Sequence, residues 1–95
     1  MASDPAILAK IEFSILRYRN GKGSFTALVS DLDACTLRID ADAPYKYELR
    51  SKWLDLEEMG VSAAGKGRSE PLADHRRMVD LVLDELMELA RHHRA

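Results

Sequence analysis

Apolar side chains recur every three to four positions along almost the whole of a 95-residue chain, a period that suits amphipathic helices and not strands. In the first run Ile7, Leu8, Ile11, Ile15 and Tyr18 share a stripe. Ser3-Asp4-Pro5 precedes it with a cap and a proline at an early helical position, where the missing N–H costs nothing. Asn20-Gly21 ends the run. Ser24 caps the second, whose stripe is Phe25, Leu28, Val29, Leu32, Thr36 and Ile39, with Cys35 at its edge. Asp42 and Pro44 open the third, which turns Tyr45, Leu49, Trp53 and Leu56 one way and closes near Gly60. The glycine-rich run from Gly60 to Ser69 reads as one long loop. Ser69 or Glu70 before Pro71 starts the last helix, which buries Leu72, Val79, Val82, Leu83, Leu86 and Ala90 and wets Asp80, Asp84, Glu88 and Arg91. The segments TALVS and TLRID could pass for short strands, but both fit the helical period better.

Four amphipathic helices with short connections make an all-α, compact antiparallel four-helix bundle. The whole chain, residues 1–95, reads as one helical domain, because two halves would each be too small to fold unaided. With 46% hydrophobic and 32% charged residues the composition is that of an ordinary globular protein. The single Cys35 cannot form an internal disulfide. The N-terminal MASDPAIL lacks a basic region leading into a long apolar run, and no stretch nears the ~20 apolar residues of a membrane span. The expectation is a cytoplasmic protein that does not enter a membrane.

The motifs that carry chemistry fail one by one. Gly60-Val-Ser-Ala-Ala-Gly65-Lys66-Gly67 nearly spells a phosphate-binding loop, yet Gly67 stands where magnesium needs Ser or Thr, and a helix precedes it where a strand is required. Asp31-x-Asp33 and Asp40-x-Asp42 open like calcium loops, but the twelfth positions are Asp42 and Ser51, not glutamate. His75 precedes His92 and His93 by about 17 residues of one helix, roughly 25 Å at 1.5 Å per residue. Only contact between chains could join them around a metal. Cys35 sits on the flank of an apolar stripe, where a thiol is usually inert packing. Lys10, Arg17, Arg19 and Lys22 cluster weakly, and Lys66 and Arg68 tip the loop, without the overall positive field that nucleic acid demands. The expectation is a protein with no catalytic site, no cofactor, no metal and no direct nucleic-acid contact.

Charge is unevenly spread. Residues 1–30 set Asp4 and Glu12 against Lys10, Arg17, Arg19 and Lys22. Residues 31–58 set Asp31, Asp33, Asp40, Asp42, Glu48, Asp55, Glu57 and Glu58 against Arg38, Lys46, Arg50 and Lys52. Within this acidic middle some apolar side chains fall outside the stripes. Asp33, Leu37 and Asp40 share one flank of the second helix, an apolar spot framed by carboxylates. On the third helix Tyr47, Ser51, Leu54 and Glu58 follow one another at i, i+4, i+7 and i+11, away from Trp53. Either the third helix is sandwiched and these residues are core, or they form an interface of aromatic and aliphatic anchors with a charged rim. The interface reading takes Asp33, Leu37, Asp40, Asp42, Tyr47, Ser51, Leu54 and Glu58 as partner-binding residues, suited to a basic groove such as that of a nuclease. The alternative is a homo-oligomeric regulatory or scaffolding subunit that buries Tyr47, Leu54, Phe13 and Leu16 against another copy.

The run from Ser24 to about residue 90 carries a W-x-x-LE signature in Trp53, Leu56 and Glu57 and closes on a helix reading VDLVLDELMELA. In these features it resembles small helical immunity proteins of bacterial contact-dependent growth inhibition toxin systems. The resemblance implies a helical protein that binds and neutralises a toxin without turnover. It casts Trp53 and Leu56 as core and Glu57 as a cap or ion-pair residue.

Overall fold

The structure, a computed structural model, describes residues 5–94, with side chains as far as His92. Four helices, α1 (Pro5–Arg19), α2 (Phe25–Arg38), α3 (Ala43–Ala64) and α4 (Arg76–Arg94), form an all-α bundle. Each helix lies against its neighbours in the chain, and α4 closes the ring against α1, so that α1 and α3 face each other diagonally across the core. Cross-links between helices fix the directions. Arg50 on α3 meets Asp33 on α2, and the Trp53 indole meets the Val29 carbonyl. Lys52 reaches Glu85, while Arg19 reaches Asp84 and Glu12 reaches Arg91. With the Tyr45 hydroxyl meeting the Leu89 carbonyl, one number rises as the other falls in the α2–α3, α3–α4 and α4–α1 pairs, so these run antiparallel and α1 is left antiparallel to α2 as well.

The stripes read from the sequence meet in one core. Leu8, Ile11 and Ile15 of α1 pack with Leu28 and Leu32 of α2, Leu49 and Leu56 of α3, and Leu83 and Leu86 of α4. Burial of each such side chain contributes about 1.5–3 kcal/mol, and that sum holds four individually marginal helices together. Ser24 caps α2 as expected, its hydroxyl accepting from the Ala27 N–H at 3.1 Å. Asp42 takes the N-cap position of α3 with Pro44 in its first turn, although its carboxylate makes no capping hydrogen bond. The Ser3-Asp4 cap lies outside the described residues.

Two boundaries differ from the sequence reading. The third helix does not close near Gly60 but runs on to Ala64, burying Ala63. Gly60 is there because α2 comes close: a Cβ at this position would stand 3.2 Å from Cε2 of the buried Phe25 ring. The turn that follows α3 passes through Gly67, whose φ of 72° is the left-handed conformation glycine tolerates. The Arg68 N–H returns to the Ala63 carbonyl at 2.9 Å to finish the turn.

The last helix begins later than Pro71. After Pro71 and Leu72 come a single 3₁₀ turn, Ala73–His75, and then α4. Leu72, expected on the buried face of that helix, precedes it and is half-buried. Glu70 does not start α4 because it serves α2. Its carboxylate accepts from the Phe25 N–H at 2.9 Å and from the Tyr18 hydroxyl at 3.2 Å. The connection is thereby strapped across the α1–α2 end of the bundle, giving one orphan donor of α2 a charged acceptor. Burial, reinforced by the adjacent Glu70 carboxylate, pushes the Tyr18 hydroxyl up to about 12.

Candidate partner-binding surface

The α2–α3 seam is locked by polar bonds as well as by packing. The Arg50 guanidinium donates to Asp33 Oδ1 at 2.7 Å and to Thr36 Oγ1 at 3.0 Å, and lies 4.2 Å from the centroid of the Trp53 ring. Below it the Trp53 Nε1–H donates to the Val29 carbonyl at 2.9 Å. A charged plane stacked on an indole and bonded to a carboxylate orders both helices at once. Asp33, expected to frame a surface spot, is thus turned into the seam and already has its partner. Its charge is compensated within the chain.

The other residues singled out from the sequence lie at the surface. Leu37 is 53% exposed, Tyr47 76% and Leu54 47%, while Asp40, Asp42, Ser51 and Glu58 are all exposed. The sandwiched reading of the third helix therefore does not apply to Tyr47 and Leu54. The pairings of Asp33 with Arg50 and Val29 with Trp53 set the register of the two helices. One further turn puts Leu37 level with Tyr47, beside the turn that carries Asp40 and Asp42. Leu54 and Glu58 lie farther along α3.

Sequence reasoning missed Val61, which is 64% exposed. The glycine-rich pattern places it in a loop, but because α3 continues through Gly60 it extends the row. Tyr47, Leu54 and Val61 fall at i, i+7 and i+14, a ridge about 21 Å long at 1.5 Å per residue. Asp55 and Glu58 flank this ridge, and neither has an ion pair among the described residues. Of the three bases of α3, Arg50 is engaged with Asp33 and Lys52 with Glu85, which leaves Lys46 next to Tyr47. The result is an exposed apolar ridge flanked by two unpaired carboxylates, with Lys46 the one base of α3 outside an ion pair among the described residues.

Beside the ridge a groove of about 370 Å³ opens between α2 and α3. Phe25, Val29 and Trp53 line it, Gly60 leaves it open, and Glu57 and Arg68 stand among its polar residues. Glu57, cast by the resemblance as a cap or ion-pair residue, has neither role. It lies well inside α3, half-buried, with no ion pair among the described residues. A sequence signal for the groove existed in Gly60 itself, since a glycine inside a helical pattern often marks a close approach.

No group of three His, Cys, Asp or Glu side chains among the described residues converges to hold a metal ion. Cys35 is buried, and the loss of water around it raises its thiol above the ordinary range, so it is a poor nucleophile. No helix among the described residues is long and apolar enough to cross a membrane. Comparison with known proteins finds no family model that matches the chain, and no curated protein or solved structure that matches it significantly.

Proposed function

We propose that this chain is a stoichiometric protein-binding module of the immunity or antitoxin type, acting in the cytoplasm. It neutralises a bacterial toxin by laying the outer face of α3 and the adjoining α2–α3 turn over a basic active-site surface. One observation carries the reading: Tyr47, Leu54 and Val61 stand exposed in a row, flanked by Asp55 and Glu58, which have no ion pair among the described residues. Large apolar side chains aligned on one helix of so small a domain favour a covering partner, and the sign of the field selects a basic one. In this reading Tyr47 and Leu54 are the anchors. Asp40, Asp42, Asp55 and Glu58 steer the encounter, and Leu37 and Ser51 complete the contact.

The test is titration with the protein encoded beside this chain's gene. A 1:1 complex is expected, with association slowing as salt rises from about 50 to 500 mM through screening of the steering charges. Leu54→Lys should weaken it at least about a hundredfold, as loss of a central anchor does. No complex at micromolar concentration, or an unchanged affinity in Leu54→Lys, would remove the reading.

A further inference from the structure

The face diagonally opposite α3 has the same form and the opposite sign. On the outside of α1, Phe13 is 66% exposed and Leu16 is exposed beside it. Lys10 and Arg17 stand three and four residues from Phe13 on the same helix, without ion pairs among the described residues, while Leu16 turns toward α4, where Asp84 and Glu88 share its surroundings with Arg19 and Arg91. Within the described part of α1 the only carboxylate is Glu12, which is buried and bonded to Arg91 at 3.1 Å. Next to Phe13 an α1–α2 groove of about 300 Å³ is bordered by Lys10 and Arg38, with Asp31 the one acid in its lining. One side of the bundle therefore presents an acidic ridge, and the other a basic groove with an aromatic rim.

We propose that these two faces are each other's partners in successive copies: the free protein associates head to tail, with the α3 ridge of one copy seated in the α1–α2 groove of the next. Ridges of one helix pack into the furrow of a neighbouring pair by the same geometry that builds the bundle. Charge complementarity chooses this pairing over the symmetric ones. An α3–α3 contact would bring Asp55 and Glu58 against their own copies, and an α1–α1 contact would do so for Lys10 and Arg17. Because the two faces lie on opposite sides of one copy, the contact is heterologous. It leaves a free ridge at one end and a free groove at the other, so association continues past two copies. The proposal rests in part on the preceding reading, since it gives the same α3 ridge a second occupant. A toxin that takes the ridge would then cap a growing chain of copies.

Sedimentation of the isolated protein tests this without any toxin. At low salt the weight-average mass should climb from the 10.7 kDa of one chain past twice that value between about 10 µM and 1 mM, the range of a small, charge-steered contact. It should fall back to one copy at about 0.5 M salt. Phe13→Glu and Leu54→Lys, both at exposed positions, should each abolish the rise, and an equimolar mixture of the two should associate to two copies and stop there, because each pair retains one intact ridge and one intact groove. A wild-type chain that stays at one copy throughout would overturn the proposal. So would retention of the rise in either variant, the sign of a symmetric contact, or a mixture that fails to associate. Toxin capture by Phe13→Glu separates the two readings, because this variant keeps the α3 ridge. Capture without self-association upholds the preceding reading whatever becomes of this one.

Discussion

Two tyrosines separated by one residue on α3 have opposite fates. Tyr45 is buried, and its hydroxyl donates to the Leu89 carbonyl at 3.1 Å. Tyr47 stands in solvent. The same division runs down the helix, with Leu49, Trp53, Leu56 and Met59 inside and Ser51, Leu54, Glu58 and Val61 outside. Composition does not separate the two faces, since each carries a tyrosine and aliphatic side chains. Phase on the helix does, together with the polar bonds that Tyr45 and Trp53 make and their counterparts outside lack. The inner face holds the bundle together, and the outer face is free to serve something else.

The sharpest way to break this comparison is to truncate one residue from each side. Trp53→Ala should cost about 3–5 kcal/mol, measured by urea denaturation, because it removes the indole, its bond to Val29 and the plane on which Arg50 rests. A loss below about 1 kcal/mol would mean that the inner face is not the structural one.

An intermediate effect is expected from alkali. Burial, and secondarily the charges of Glu48 and Asp42, push the Tyr45 hydroxyl up to about 12, and Tyr18 is raised to a similar value. An acid whose folded pKa lies above its ordinary value of 10 favours folding fully below pH 10, and that contribution disappears as pH climbs to about 12. Tm should therefore hold up to pH 10 and decline beyond it. The decline should be shallower in a Tyr18→Phe, Tyr45→Phe double variant.

The smallest effect belongs outside. Tyr47→Ala and Leu54→Ala should each change stability by no more than about 0.5 kcal/mol. A larger loss in either, read from the same urea curves, would show that the ridge is part of the fold and not reserved for a partner.

The helices and the core were legible because both depend on phase, which a linear string displays. Trp53, Leu49 and Leu83 could be placed inside before any helix had a neighbour, and Tyr47, Leu37 and Leu54 could be set apart from the stripes in the same way. What the string does not display is which helices touch. Gly60 looked like a stop because its reason for being small, the Phe25 ring, lies on another helix. That misreading also hid Val61 and shortened the ridge. Glu70 looked like the start of α4 because the N–H it serves belongs to residue 25. Asp33 looked like a free surface charge because its partner, Arg50, sits across a seam that only the register of α2 and α3 reveals.

The chain contains one tryptophan, and its place at the α2–α3 groove has a practical consequence. The indole carries a guanidinium on one face, donates its N–H to a backbone carbonyl and lines the groove beside the ridge, so its emission reports both events that matter here. Unfolding should release it into water and shift its spectrum to the red. A ligand settling over the groove would alter its intensity while the bundle stays intact, so one label-free optical signal distinguishes occupation of this face from collapse of the fold.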